Sequence, residues 1–291
     1  MADVPDAVDA VVDSIASTAP EIRAGLAGRR TYDDGANPSG DRQLEADVYA
    51  DRLLEERLLG IDSIAGYASE ERGSVVGSDA GGAAADGDRH YVAVDPLDGS
   101  SNLKSNNTMG TLFGVYDEPL PADGPALVAS GFVLYGPITT MAVARGGTVT
   151  KSVIDEGDRR VVDPDLTLPE EPTVYGFGGR VPRWSEEFSA YVSEVESELK
   201  LRYGGAMIGD VNQVLTYGGI FGYPGLRDRP EGKLRLCFEG HPIAHIVETA
   251  GGASSNGERS LLSLTPDRLH ERTPLFVGNE AYIDRLEAAL G

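Results

Sequence analysis

The chain has little cysteine and no long apolar run. Cys237 is the single cysteine among 291 residues, so no disulfide can form within the chain, and a reducing cytoplasm is the expected location. It lies in the apolar segment KLRLCFE, which favours a buried packing role over a nucleophilic one. No run of about 18 apolar residues occurs, which predicts no membrane span. The acidic start MADVPDAVDA also does not resemble a signal peptide.

Basic residues are also scarce. Asp and Glu number 47 against 25 Lys and Arg, which gives a formal net charge of −22. Such a surface repels nucleic acid and anionic lipid, so neither is expected as a partner. The acids are spread along the chain rather than collected in a tail, which is typical of an acidic surface adapted to a salt-rich cytosol. The composition therefore predicts a halophilic source.

Hydrophobic periodicity predicts a mixed α and β protein with helices and strands in both halves. Helices are predicted at 8–26, 44–59, 185–199, 208–215, 242–250 and 281–290. Strands are predicted at 63–68, 91–94, 112–116, 127–134, 140–144, 219–223 and 273–277. Polar segments 29–41 and 78–88 are predicted loops. A stretch rich in Asp, Glu and Pro around 161–172 predicts a boundary between an N-terminal half, 1–163, and a C-terminal half, 164–291.

The segment VAVDPLDGSSN, residues 92–102, carries the first chemical signal. Asp95 and Asp98 follow an apolar run, and two carboxylates that face one point repel each other unless a cation lies between them. Mg²⁺ prefers such oxygen ligands. The small residues of GSSN would let backbone N–H groups approach a phosphate. The motif indicates a metal and a phosphate side by side, although an ordinary Asp-Pro turn is the alternative.

Other acids could join such a site, but none is decisive alone. Glu70 and Glu71 follow a predicted strand, where adjacent acids are usually solvated charge. Glu239 precedes a predicted helix, and Asp41 and Asp47 flank the start of another, where acids favour the helix dipole.

Taken together, several segments resemble the class I fructose-1,6-bisphosphatases. They are GDRQLEADV, SEER, DPLDGSSN, GTLFGVY, RYGGAMIGDVNQVLTYGGIFGYP and KLRLCFEGHPIAHIVETAGG. The resemblance implies a layered α/β/α/β/α sugar-phosphatase fold, an α/β (α+β) class with two halves and the active site in the cleft between them. It also implies hydrolysis of the 1-phosphate of fructose 1,6-bisphosphate.

The resemblance further implies a role for each matching position. Mg²⁺ ions, with Mn²⁺ as an alternative, would be held by Glu70, Glu71, Asp95, Leu97, Asp98 and Glu239. The substrate would be bound by Asp98, Gly99, Ser100, Ser101, Asn102, Arg202, Tyr203, Gly205, Met207, Tyr223, Lys233 and Arg235. Glu71 and Asp47 would share the role of general base, and Asp41 would pair with Arg235 when the loop at 29–41 closes.

In this family the equivalent of Arg202 reaches into the neighbouring subunit, which implies a homotetramer or homodimer. The segment GFGGRVPRW departs from the family pattern at the 6-phosphate site, so Arg180 or Arg183 is a hypothetical substitute there. Tyr203 and Tyr223 have an alternative role as packing aromatics. Weak or absent AMP inhibition is expected.

Three other functions stay open at this stage. Sedoheptulose-1,7-bisphosphatase and an inositol-monophosphatase-like enzyme would use the same metal-dependent chemistry. A non-catalytic sugar-phosphate sensor would not need the two candidate bases, Glu71 and Asp47.

Overall fold

The computed structural model describes residues 4–40, 42–77 and 89–291, and in these ranges helices and β-sheets alternate in layers. The α-helices are α1 (Val4–Leu26), α2 (Glu45–Leu58), α3 (Glu186–Glu198), α4 (Met207–Tyr217), α5 (His241–Thr249) and α6 (Glu280–Leu290). The first strands are β1 (Tyr32–Ala36), β2 (Arg42–Leu44), β3 (Ile64–Ser69), β4 (Val76–Gly77), β5 (His90–Asp98), β6 (Met109–Tyr116), β7 (Leu127–Tyr135), β8 (Thr139–Arg145), β9 (Thr148–Asp155) and β10 (Asp158–Asp163). The later ones are β11 (Val174–Phe177), β12 (Lys200–Leu201), β13 (Gly219–Tyr223), β14 (Leu234–Arg235), β15 (Ala253–Ser255), β16 (Arg272–Thr273) and β17 (Leu275–Gly278).

The larger sheet has eight strands in the order β10-β9-β8-β7-β6-β5-β3-β4. Its pairs are antiparallel except β3 with β5, which run parallel. Helices α1 and α2 cover one face through an apolar core that includes Val11, Ile15, Leu54 and Val94. Every residue of β6 is buried, because helices cover both faces of the sheet at its centre. This explains the nearly continuous apolar sequence of that strand.

The smaller sheet has five strands in the order β12-β11-β13-β17-β15. Helices α4 and α5 fill the space between the two sheets, where Ile208 and Ile243 pack with Leu112 of the larger sheet and Phe221 of the smaller one. Helices α3 and α6 cover the outer face of the smaller sheet. The result is a layered α/β/α/β/α arrangement, which confirms the predicted fold class.

Most predicted elements lie within a few residues of the observed ones, but the polar parts of the larger sheet differ. The predicted strand at 91–94 extends through Asp98, so both acids of the motif belong to its last segment. Strands β9 and β10 were not predicted, because their sequence is polar and β10 lies at an edge. Glu156 and Gly157 both have positive φ and form the two-residue turn between them.

Three further sequence predictions concern two loops and the boundary between the two halves. The loop predicted at 29–41 contains β1, which pairs with β2. The loop predicted at 78–88 lies outside the described residues. The boundary at 163 and 164 stays a prediction. Among the described residues no helix is long and apolar enough to cross a membrane.

Gly110 allows α4 to approach the larger sheet closely. It lies opposite Asp98 in β5 and Leu134 in β7. A Cβ atom on Gly110 would be 2.1 Å from the Val133 carbonyl oxygen and 2.8 Å from the Cδ1 atom of Ile208. The missing side chain therefore lets the start of α4 reach β5.

We expect Gly110→Ala to lower the free energy of unfolding by about 2 kcal/mol, because the added methyl group overpacks a buried contact that includes backbone. Gly28→Ala is the control, since its added Cβ atom would meet nothing within 4 Å. Denaturant unfolding at one fixed KCl concentration measures both variants. Equal stabilities for the two would show that the approach of α4 does not depend on Gly110.

Candidate active site

The site begins where β3 ends beside its parallel neighbour β5. Ser69 at the end of β3 lies opposite Val94 of β5, and the Glu70 N–H donates to the Val94 carbonyl at 3.0 Å. Because parallel strands end at the same edge of a sheet, Glu70 is placed next to Asp95. Asp95 is itself held in place, since its Oδ1 atom accepts a hydrogen bond of 3.0 Å from the Leu97 N–H.

Glu239 completes a cluster of three buried carboxylates. It lies in a π-helical turn, Leu236–Gly240, that leads into α5. One oxygen atom from each of Glu70, Asp95 and Glu239 lies within 4.8 Å of the others. Arg235 bridges two of the acids: its Nη1 atom is 2.6 Å from Glu70 Oε1, and its backbone N–H donates to Glu239 Oε2 at 2.5 Å. One guanidinium cannot neutralise three carboxylates, so the cluster keeps excess negative charge.

Burial and mutual repulsion change the acidity of these groups. Burial, followed by repulsion from Glu70, raises the pKa of Glu239 to about 8 and that of Glu71 to about 8. The same two causes raise the pKa of Asp95 well above its usual range. A divalent cation would relieve this repulsion. The donors in the cluster are all oxygen atoms, which matches a hard ion such as Mg²⁺.

Asp98 faces the same cleft from the end of β5. Its Oδ2 atom accepts a hydrogen bond of 2.7 Å from the Ile208 N–H in the first turn of α4. Burial raises its pKa to about 6, although that hydrogen bond opposes the shift. Asp98 therefore joins the acidic cleft to the helix between the two sheets.

The turn after Asp98 brings bare backbone into the cleft. Gly99 has φ of 75°, and a Cβ atom on it would lie 2.2 Å from Ala206 Cβ. A 3₁₀ turn, Ser100–Leu103, follows. Asn102 does not line the cleft, because its side-chain amide donates to the Thr108 and Gly204 carbonyls at 2.8 and 2.9 Å. Its predicted contact with the substrate has no support in this geometry.

Asp47 faces the cleft from the start of α2. Its Oδ2 atom accepts from the Leu44 N–H at 2.7 Å, and the Ser100 hydroxyl bonds to the same carboxylate. Burial outweighs both hydrogen bonds and raises the pKa of Asp47 to about 7. The carboxylate of Glu71 accepts a hydrogen bond from Gln43, just before this helix. Both candidate bases are therefore positioned by the residues that begin α2.

These groups line a cleft of about 240 Å³. It contains most of the site residues predicted from the sequence: Asp47, Glu70, Glu71, Asp95, Leu97, Asp98, Gly99, Ser100, Ser101, Gly205, Met207, Tyr223, Lys233, Arg235 and Glu239. Asp41 lies outside the described residues. Asn37, Arg42 and Leu234 also line the cleft and were not predicted, since only the β1–β2 hairpin and β14 bring them there.

A second pocket of about 340 Å³ adjoins the cleft and shares Gly205, Tyr223 and Lys233 with it. The hydroxyl oxygens of Tyr203 and Tyr223 are 3.1 Å apart. Burial raises the pKa of Tyr223 well above its usual range, so its hydroxyl stays neutral and can donate. We call this space, lined also by Arg180, Arg183 and Arg229, the distal pocket. Arg202 is exposed and lines a separate groove, so its side chain does not enter the distal pocket.

Comparison with known proteins agrees with this arrangement. The family models named fructose-1-6-bisphosphatase N-terminal domain and C-terminal domain match residues 11–160 and 168–291. A class 1 fructose-1,6-bisphosphatase of Natronomonas pharaonis is 72% identical over 286 residues, which cover 98% of this chain and 99% of that protein. The chain belongs to the class 1 fructose-1,6-bisphosphatase family.

Other members of the fructose-1,6-bisphosphatase family extend the comparison. The Halobacterium salinarum protein is 59% identical over 287 residues, which cover 98% of each chain. These relatives come from halophilic archaea, in agreement with the salt-adapted surface predicted from the composition. The crystal structure of Leishmania major fructose-1,6-bisphosphatase in holo form has a TM-score of 0.86 at 30% identity, over 97% of this chain and 92% of that one.

Arg72 anchors the turn that carries Glu70 and Glu71. Its Nε atom donates to Asp51 Oδ2 at 2.7 Å, and its two terminal nitrogens donate to the Glu55 carboxylate at 3.0 and 2.6 Å. Both acids lie on α2, so the guanidinium fixes the turn to the helix that also positions Asp47. No sequence pattern indicates this contact, because Arg72 resembles an ordinary solvated charge after SEE.

The raised pKa values predict how pH and metal affect stability. In the metal-free protein, Glu71 and Glu239 bind protons up to about pH 8, whereas in the unfolded chain they ionise near pH 4. Their contribution to folding is therefore present at low pH and is lost as pH rises from about 4 to about 8. Because Mg²⁺ competes with these protons, we expect it to raise Tm more at pH 8 than at pH 6. Calorimetry in KCl with EDTA or MgCl₂ measures both shifts, and a larger shift at pH 6 would contradict the assignment.

Loss of the Arg72 anchor should weaken metal binding. We expect Arg72→Gln to reduce the apparent Mg²⁺ affinity roughly ten-fold, because the turn with Glu70 and Glu71 is no longer fixed to α2. Arg52→Gln is the matched control, since Arg52 is an exposed arginine on the same helix. Calorimetric titration with Mg²⁺ measures both variants. Equal affinities would show that Arg72 does not position the acids.

Proposed function

We propose that the protein hydrolyses the 1-phosphate of fructose 1,6-bisphosphate to fructose 6-phosphate and inorganic phosphate, with Mg²⁺ as the cofactor and Mn²⁺ as an alternative. The observation that carries this proposal is a buried cluster of three carboxylates beside a cation-lined pocket that shares a wall with it. The cleft with the carboxylate cluster suits a metal and a reacting phosphate, and the distal pocket suits a second phosphate. Membership of the family supports the same reaction.

The acidic cleft would hold the metal. The residues that would supply oxygen ligands are Glu70, Glu71, Asp95, Leu97, Asp98 and Glu239, and all of them line the cleft. When bound, Mg²⁺ would polarise the phosphoryl group and neutralise charge that develops on the leaving sugar oxygen. Arg235 would help, because its planar guanidinium is buried in the same cleft and can bind two phosphate oxygens.

Glu71 and Asp47 would remove the proton from the attacking water. With its pKa raised to about 7, Asp47 is partly ionised at neutral pH and can accept a proton. Glu71, whose pKa is about 8 in the metal-free protein, would accept a proton once a bound cation favours its ionised form. The water oxygen then forms a bond to phosphorus, the bond from phosphorus to the sugar oxygen breaks, and that oxygen gains a proton. Ser100 and Ser101 would hold the departing phosphate, whose oxygens can approach the backbone closely at Gly99.

The distal pocket would bind the 6-phosphate through Tyr203, Tyr223 and Lys233. Gly205 and Met207 would line the sugar between the two phosphates, since both lie in the cleft. Arg202 does not line this pocket, so its predicted phosphate contact would require a second subunit. We therefore propose a homotetramer or homodimer located in the cytoplasm, with no nucleic acid or membrane partner.

The presence of the distal pocket favours a bisphosphate over a monophosphate. An inositol monophosphatase would have no second phosphate to place there, whereas sedoheptulose 1,7-bisphosphate would use the same two spaces. A non-catalytic sensor would not need two candidate bases, Asp47 at the start of α2 and Glu71 after β3, in one cleft. The fructose enzyme is the function that fits both the pockets and the family.

Phosphate release from fructose 1,6-bisphosphate with Mg²⁺ in molar KCl tests the proposal. We expect Glu71→Gln to lower kcat by roughly 10²-fold or more, because it removes a general base. Glu56→Gln, an exposed acid on α2, is the control and should keep full activity. Sedoheptulose 1,7-bisphosphate and inositol monophosphate are assayed alongside. Faster release from either, or no release from any substrate by folded protein, would contradict the assignment.

A further inference from the structure

The distal pocket is lined by basic residues although the protein as a whole is acidic. The chain carries a net charge of −22. Among the described residues that line it, none carries a carboxylate and four are basic: Arg180, Arg183, Arg229 and Lys233. With acids outnumbering basic residues by 47 to 25, such a local excess indicates selection for an anionic ligand.

Arg183 has a structural partner in this wall. Its Nε atom donates to Asp228 Oδ1 at 2.7 Å, and its Nη2 atom donates to the other oxygen of that carboxylate. Its carbonyl accepts from the Arg227 N–H at 2.8 Å. These bonds join the two segments that carry the pocket's arginines. The charge of Arg183 is therefore already neutralised by Asp228.

Arg180 and Arg229 remain available to a ligand. Within the described ranges neither guanidinium forms a salt bridge, and the nearby Asp228 is already paired with Arg183. Arg229 is half-buried in a closed turn, where backbone hydrogen bonds of 2.9 Å run in both directions between it and Leu226. The backbone that carries Arg229 is thus fixed before any ligand arrives.

We infer that Arg180 and Arg229 bind the distal phosphate and set the preference for a bisphosphate over a monophosphate; this inference rests on the proposed function. Molar salt shortens the Debye length to about 3 Å, so charge attraction from a distance contributes little. Direct contact still contributes to phosphate binding in salt, because a guanidinium can form two short hydrogen bonds to a phosphate. Two additional arginines therefore suit a phosphate site that works in concentrated salt.

The test compares Arg180→Gln, Arg229→Gln and the double variant with Arg227→Gln. Arg227 is the matched control, because it is exposed in the same loop and does not line the pocket. Steady-state kinetics with Mg²⁺ in molar KCl use fructose 1,6-bisphosphate and fructose 1-phosphate, which lacks the distal phosphate. Competitive inhibition by fructose 6-phosphate gives an independent measure of the distal pocket.

We expect each single variant to lower kcat/KM for fructose 1,6-bisphosphate roughly ten-fold, because each removes charge-assisted hydrogen bonds. The double variant should lose more, and the inhibition constant of fructose 6-phosphate should rise in parallel. Activity on fructose 1-phosphate should not change, which also shows that the variants are folded. Arg227→Gln should match the wild type with both substrates.

Two results would overturn the inference while the proposed function stands. One is an unchanged kcat/KM for fructose 1,6-bisphosphate in the double variant, and the other is an equal loss with both substrates. If the wild type hydrolyses no bisphosphate, the proposed function itself fails. In that case, calorimetry measures the binding of fructose 6-phosphate to the wild type and to the double variant. Equal binding by the two proteins, or no detectable binding by the wild type, would overturn the inference.

Discussion

The repulsion among Glu70, Asp95 and Glu239 is the constraint on which the rest of the site depends. Three carboxylates whose oxygens lie within 4.8 Å of one another are costly to bury as charges. Arg235 offsets part of that cost, since it bonds to two of them. The remaining negative charge can be neutralised by protons, in agreement with the raised pKa values, or by a divalent cation. The negative charge of the cluster therefore lowers the stability of the metal-free protein, and the same charge suits the cluster to bind a metal ion.

The fold brings these acids together through long-range contacts. Parallel pairing of β3 with β5 sets Glu70 beside Asp95, and the π-helical turn before α5 adds Glu239. Helix α4 reaches the same edge because Gly110 leaves space for it, and its first turn binds Asp98. The acidic cleft in turn adjoins the distal pocket, because Gly205, Tyr223 and Lys233 line both spaces.

Local sequence patterns predicted the helices and most of the apolar strands, because burial on one or two faces leaves a clear period. They did not predict β9 and β10, whose sequences are polar, or the short buried strand β11. The acids of the cleft were found through motifs, whereas Arg72 and Arg229 were missed. Their roles depend on partners distant in sequence or on the shape of a folded turn, and no short pattern marks either. Arg180 was a candidate from sequence, and the structure distinguishes it from Arg183, which Asp228 neutralises.

Phosphate release from fructose 1,6-bisphosphate by exhaustively chelated protein, followed by titration with Mg²⁺ in molar KCl, tests most directly whether the buried carboxylates form a catalytic metal centre. The acidic cluster predicts no measurable release before Mg²⁺ is added and a saturable return of activity afterwards. Full activity in the chelated protein would contradict it, because the three buried acids would then have no catalytic cation to bind.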